Sequence, residues 1–420
     1  MLYYSESGPE REFGREQARA ALEKIAESFS DRKKVLILPP DMTRAHSGAG
    51  MLTELMWQNL GDRISDILPA LGTHSPMEPG EIMKMYGSVP HSLFREHRWR
   101  TDIEELGRVP SAFVTEVTGG RLTFDYPVQV NRLLSSGGHD LIISVGQVVP
   151  HEVTGMANYN KNVFVGCGGS EAINKSHFIG AVHGIEKILG TTDNPVRAVL
   201  NMASEIAAPR LPLLYILTVV APDSEGRLKI RGIFAGDDIE CFRRAAALSR
   251  EVNFTTLPER LKKVVVWLDP EEYRSTWLGN KSIYRTRMAI ADDGELVVLA
   301  PGVKTFGEDP AIDRLIRKYG YRTTPEILAF TEANDDLKEN LSAAAHLIHG
   351  SPENRFRVTY AAGHLTREEI ESAGYGYGEI DKLLKRYNPG SLQTGFHRLA
   401  DGEEFYFISN PATGLWKAAR

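Results

Sequence analysis

The sequence predicts two layered α/β domains, each built on a largely parallel sheet. Three observations predict it. The chain has 420 residues, more than one hydrophobic core usually organises. Short apolar runs alternate with amphipathic stretches at helical spacing, the order that lays a parallel sheet under covering helices. Chemically capable side chains recur just past the apolar runs, on the rim where an open α/β sheet gathers its ligands.

The elements follow in order. Residues 15–29, REQARAALEKIAESF, place Ala18, Ala21, Leu22, Ile25 and Ala26 at helical spacing between Arg and Glu, which makes an amphipathic helix. Val35 to Leu38 form a short buried strand stopped by Pro39 and Pro40. ISDILPALGTH, DLIISVGQVVPHE, NVFVGCGGS and LPLLYILTVVAPDSEG read as further strand-bearing runs, with MLTELMWQNLG and GEIMKMYG as helices between them. From about residue 238, DIECFRRAAALSREVNF is a helix that bridges to a second unit. KKVVVWLDP and ELVVLAPG supply its strands, and PAIDRLIRKYG, TPEILAFTEANDDLKENLSAAAHLIHG and EIDKLLKRY its helices. The division is placed at 1–258 and 259–420.

Composition narrows the function. Hydrophobic residues at 42% and charged residues at 25% are those of an ordinary globular protein. A net charge of −6 offers no basic stripe and no polybasic anchor, so neither nucleic acid nor a membrane surface is an expected partner. Cys167 and Cys241 form no paired-thiol framework or metal knuckle. The N-terminal stretch is too charged for a secretory apolar region, and no apolar run is long enough to span a bilayer. A cytoplasmic protein is expected.

In LPPDMTR, Asp41 and Arg44 can orient one another while the guanidinium holds a carboxylate through two parallel hydrogen bonds; on spacing alone a turn capped by Asp41 with a solvated Arg44 is the better explanation. GTHSPM sets His74 on a loop between Gly72 and Pro76. HEVTGMANYNK carries His151 and Lys161, and NKSHFIG carries His177, about two turns into a helix that begins near Ser170. Neutral imidazole is a common ligand for late first-row metals, yet the spacing matches no standard zinc pattern. GCGGS, residues 166–170, is either a phosphate-receiving helix start or a tight turn. The remaining histidines, among them His97 and His139, read as surface or satisfied core residues. There is no G-x-S-x-G, Walker A loop or full dinucleotide fingerprint, which disfavours a serine hydrolase, a P-loop NTPase and a standard NAD enzyme.

Taken together and in order, DMTR, GTHSPM, PHEVTGMANYNK, NKSHFIG and TDNPVR resemble the lactate racemase family, with His-x9-Lys-x15-His as the specific part. The resemblance implies a nickel-pincer nucleotide (pyridinium-3,5-bisthiocarboxylic acid mononucleotide) covalently attached to Lys161, with His177 as the protein's ligand to nickel. It implies that His74 and His151 exchange protons with a substrate hydroxyl on either side of the reacting carbon. Arg44 then contacts substrate, and Asp41 contacts the cofactor or Arg44. The cofactor takes the α-hydrogen as hydride and returns it to the other face, inverting a 2-hydroxy acid, in the cleft between the two domains. Cofactor maturation enzymes are implied partners, and protein expressed without them is expected to lack the cofactor.

The chain departs from the family in two places. Asn158, Tyr159 and Asn160 replace a glycine- and serine-rich approach to the lysine, and the family's C-terminal Tyr-Gln-x-x-Lys element is absent from APGVKTFGEDPAIDRLIRKYG. Lys304, Arg314 or Arg317 is expected to replace its substrate-holding lysine. These departures favour a sugar acid or another polar 2-hydroxy acid as substrate. The alternatives are a lactate or short-chain 2-hydroxy acid racemase, and a non-catalytic nickel-cofactor-binding protein, which would need Lys161 and His177 but not both His74 and His151. A plain NAD- or metal-dependent oxidoreductase would carry no adduct on Lys161.

Overall fold

The structure is a computed structural model that describes residues 1–412 and 414–419. The chain folds into two compact units, residues 1–183 with 187–253, and residues 184–186 with the chain from 254 onward. Both are layered α/β units. No helix among the described residues is long and apolar enough to cross a membrane.

The sheet of the first unit runs Leu2–Ser7, Leu228–Gly236, Leu213–Pro222, Leu141–Gln147, Val35–Leu38, Ile64–Ile67. Its last four strands are mutually parallel, and the first two are added antiparallel. The sheet is therefore mixed. The reversal follows from local chemistry: after Pro222 the Asp223 carboxylate accepts from the backbone N–H of Glu225 and of Arg227, closing a hairpin that sends the chain straight back. Val35, Ile37, Ile143, Val145 and Ile216 pack on one face with Leu22 and Ile25 of the helix Arg15–Glu27 and Leu52, Leu55 and Met56 of the helix Ala49–Leu60. Leu36, Leu38 and Ile142 are equally buried on the other face. Burial on both faces is why these strands read as unbroken apolar runs.

Two expectations are corrected. NVFVG is not a strand; Asn162–Gly166 is a fully buried π-helical turn. An apolar run of that length carries no period that separates the two, and here the Asn162 carboxamide settles it, donating to Leu38 O and Ser144 Oγ, both at 3.0 Å. The long stretch 324–350 is three helices, Thr324–Ala333, Asp335–Lys338 and Leu341–Gly350. It breaks at Asn334 and at Asn340, whose side chain caps the last helix.

The second unit has a six-stranded sheet, ordered Gly376–Tyr377, Arg357–Ala362, Ile290–Ala300, Leu261–Trp267, Glu404–Ile408, Gly395–Arg398, parallel except for the last pair. A buried polar layer lies beside it: His346 hydrogen-bonds Tyr284 Oη at 2.8 Å and Tyr321 Oη at 2.9 Å, and Trp277 stacks on the imidazole.

His97 is a satisfied core histidine, as read from the sequence. It is 2% exposed, with Nε2 donating to Gly168 O at 3.1 Å and Nδ1 accepting from Asn131 Nδ2 at 3.1 Å. Burial lowers its pKa to about 4 against the opposing Gly168 carbonyl. A base depressed in this way is neutral in the folded chain and protonates first in the unfolded one. Its contribution is intact above the ordinary histidine value and is lost as pH falls from there toward about 4. That loss is about 3 kcal/mol. Urea unfolding across that window is expected to show falling stability in the parent chain and a flatter dependence in His97→Gln; an unchanged slope counts against the assignment.

Candidate active site

Three loops leave the C-terminal ends of three adjacent parallel strands, Leu141–Gln147, Val35–Leu38 and Ile64–Ile67. Each carries candidate residues. After Val35–Leu38, Pro40 O accepts from the buried Tyr86 hydroxyl, which fixes the entry to Asp41. After Ile64–Ile67, Ala70 N donates to Pro39 O and Gly72 N to Gly166 O, both at 2.8 Å, so the His74 loop is tied to its neighbours on both sides. After Leu141–Gln147, Pro150–His151 pairs with Gly155–Met156 in a two-residue ribbon.

Asp41 caps the segment Met42–Ser47 and has a second role. One carboxylate oxygen accepts from the amide and hydroxyl of Thr43, and the other meets His74 Nδ1 at 2.6 Å. Burial pushes the Asp41 carboxyl up, but His74, Thr43 and Arg44 outweigh it and hold the group below its ordinary value. An ionised Asp41 therefore accepts a hydrogen bond from His74 Nδ1–H, which sets Nε2 as the basic nitrogen of the neutral ring. His151 is held in the opposite sense. Its Nδ1 accepts from the backbone amides of Val153 at 3.1 Å and Thr154 at 3.4 Å, so the neutral ring carries its proton on Nε2.

His177 lies in the helix Ser170–His183, and its Nδ1 donates to Ile173 O at 2.7 Å. Burial, opposed by that carbonyl and assisted by the charge on Lys161, lowers its pKa to about 4. The ring is neutral at physiological pH with its Nε2 lone pair free to coordinate, the arrangement typical of a metal-ligating histidine. Lys161 is half-buried between two anchored asparagines. Burial and then Arg44 lower its amine to about 8, against the pull of Glu152 and Asp41, leaving a sizeable unprotonated fraction near neutral pH. His74, Glu152 and Lys161 all act on His177. Lys161, His177, His74, Asp41 and Arg44 are thus brought within one another's electrostatic reach.

Other candidates behave differently. The carboxamides of Asn158 and Asn160 serve the fold: Asn158 Oδ1 accepts from Tyr159 N at 2.7 Å, and Asn160 is spent on Asn201, Ser204 and Arg197. Gly146 makes room for Asn158, since a Cβ there would lie 1.9 Å from Asn158 Nδ2. The glycines of GCGGS serve close packing; a Cβ at Gly168 would lie 2.2 Å from Phe164 O. In the second unit Lys304 and Arg314 are exposed, whereas Arg317 is paired with Asp313 and Glu369, each at 2.6 Å. Sequence reasoning missed Glu152, hidden in a turn, and Arg197, whose importance lies in tertiary contacts. It also missed three buried cations on one stretch of the second unit, Lys281, Arg285 and Arg287, since GNKSIYRTR reads as a solvated basic segment.

Among the described residues no three His, Cys, Asp or Glu side chains gather to hold a metal. A nickel ion bound at His177 would need its other donors from a cofactor, and the residues present fit one: a neutral imidazole with a free Nε2, and a lysine amine of lowered basicity in the same cluster.

The fold and this rim define a two-unit α/β protein whose candidate residues follow the strand ends of the first unit's sheet. Residues 7–188 match the lactate racemase N-terminal domain. A crystal structure of a protein from Thermotoga maritima shares the fold at a TM-score of 0.85 and 24% identity, over 98% of this chain and 100% of that one. The lactate racemase apoprotein from Thermoanaerobacterium thermosaccharolyticum shares it at 0.70 and 16%, over 96% and 92%. No curated protein matches the sequence.

In a 15N-labelled sample at neutral pH, the ring of His177 is expected to show the Nδ1-protonated neutral tautomer and that of His151 the Nε2-protonated one. An Nδ1–H signal from His151 contradicts the assignment.

Proposed function

We propose that the chain is a racemase or epimerase that inverts C2 of a 2-hydroxy acid, using a nickel-pincer nucleotide attached to Lys161 and held at nickel by His177. The observation that carries the reading is the convergence of Lys161, His177, His74 and Arg44, from four separate stretches, on the strand ends of one sheet. When bound, the cofactor supplies a reversible acceptor for the α-hydrogen, which a carboxylate substrate releases only reluctantly as a proton.

The chain's own residues supply the rest. Arg44 engages the substrate carboxylate through its planar fork. His74, oriented by Asp41, offers Nε2 as general base to the hydroxyl proton, and the imidazolium that forms is stabilised by the same carboxylate. His151, with its proton on Nε2, donates a hydrogen bond to the substrate oxygen and passes on a proton only from its imidazolium form. Inversion needs both histidines in turn, since each serves as base for one enantiomer and acid for the other. The two are not equivalent at rest: His74 is ready to accept, and His151 must first give up its hold on Val153 and Thr154.

The substrate is proposed to be a polar 2-hydroxy acid such as an aldonate. This rests on the missing C-terminal Tyr-Gln-x-x-Lys element, the asparagines before Lys161 being committed to the fold.

In protein produced together with the maturation enzymes, intact mass is expected to show an adduct on Lys161, and metal analysis to show nickel. A chain with neither has lost the mechanism. His74→Gln and His151→Gln are each expected to slow interconversion by about 100-fold or more while keeping the adduct. Gluconate-type acids are expected to exchange their C2 configuration faster than lactate; the reverse order overturns the substrate assignment.

A further inference from the structure

Two consecutive residues just before Lys161, neither of them glycine, are left-handed: Asn158 at φ 62° and Tyr159 at φ 59°. A side chain in that region costs of order 1–3 kcal/mol, and such strain persists only where the surroundings over-determine it. Here the surroundings converge on one residue. Arg197, 1% exposed, stands in the first turn of the helix Pro195–Ala207. Its Nη2 donates to Met156 O at 2.6 Å, and its Nη1 donates to Asn160 Oδ1 and, at 3.5 Å, to Asn158 O. Its guanidinium lies 4.4 Å from the centre of the Phe242 ring. The Tyr159 ring is packed against Phe242 and Tyr215. Among the described residues no carboxylate pairs with this cation, and its Nε has no hydrogen-bond partner. A buried arginine without a counter-ion is costly. A role limited to packing would be served by a neutral side chain.

We propose that Arg197 is the positioning residue for Lys161: its planar fork clamps the left-handed bend at Asn158 and Tyr159 and so fixes where the amine two residues further on is presented. The proposal rests on the reading of Lys161 as the attachment point. The fork spans three oxygens along the bend, Met156 O before it, Asn158 O within it and Asn160 Oδ1 after it, which a single ammonium does not. The same helix start reaches the ribbon that carries His151, because Asn194 Nδ2 donates to Thr154 O at 3.2 Å. One helix end thereby sets the lysine and one of the histidines together. The positive charge also helps to keep the Lys161 amine below its ordinary basicity.

The test is peptide-level hydrogen exchange on the apoprotein, with thermal unfolding alongside. Arg197→Met is expected to speed exchange over residues 156–162 by about tenfold or more, the effect of losing a charge-assisted hydrogen bond, while exchange in the central strands is unchanged. Adding Asn158→Gly, which takes the left-handed conformation freely, is expected to restore protection in part. Arg197→Lys keeps the charge without the fork and is expected to behave like Arg197→Met; it also serves if that variant does not fold. Unchanged exchange over 156–162, exchange that rises evenly across the unit, or full protection in Arg197→Lys overturns the clamp. In co-expressed protein the fraction of Lys161 carrying an adduct is expected to fall in Arg197→Met and to recover with Asn158→Gly. If the parent chain itself carries no adduct, the attachment reading fails while the exchange result still decides the role of Arg197.

Discussion

The first unit depends on one carboxamide. Asn162 joins the backbone carbonyl at the end of one central strand to a serine hydroxyl on the next, and the turn that carries Lys161 hangs from that bridge. A buried amide satisfied by two fixed acceptors is worth more than its net hydrogen-bond energy, because breaking it leaves polar groups without water or partner. The rest of the site is placed relative to it. The His74 loop is bonded to the far end of the same turn at Gly166, and Asp41 follows the strand whose last carbonyl the amide holds.

Charges of both signs are distributed about Lys161. Lys161 has cations in Arg44 and Arg197 and carboxylates in Asp41 and Glu152. Partial cancellation in a poorly solvated rim keeps the amine reactive without leaving a full buried charge unanswered. The three histidines differ by what each Nδ1 meets: a carboxylate at His74, backbone amides at His151, a helix carbonyl at His177. Identical side chains are thereby given three different Nδ1 settings by their second contacts.

The reach of the sequence follows the same physics. Strands buried on both faces leave an unmistakable apolar signature, and the loops after them carry the polar residues, so Asp41, Arg44, His74 and His151 were visible as a rim pattern. Lys161 and His177 gained meaning only through the ordered resemblance. The turn 162–166 reads as a strand because a run of three large apolar residues, Val163 to Val165, has no detectable period, and the long helical stretch reads as one helix because its interruptions at Asn334 and Asn340 are mild. Arg197 and Glu152 lay out of reach for another reason: their roles come from what packs around them. Asn158 and Asn160 taught the opposite lesson, since amides that looked available for a ligand are consumed by the fold.

The π-helical turn has a consequence for how this scaffold tolerates length changes. It holds one residue more than an α-helical turn of the same reach. Excising a single position there would regularise the coil and satisfy its own backbone, yet rotate the upstream lysine by about 100° about the axis. Substitutions that keep the count and spare Asn162 preserve the bearing of the amine, whereas an in-frame deletion of one codon misdirects it even with the Asn162 bridge in place. In the rest of this segment arithmetic is under stricter constraint than side-chain identity.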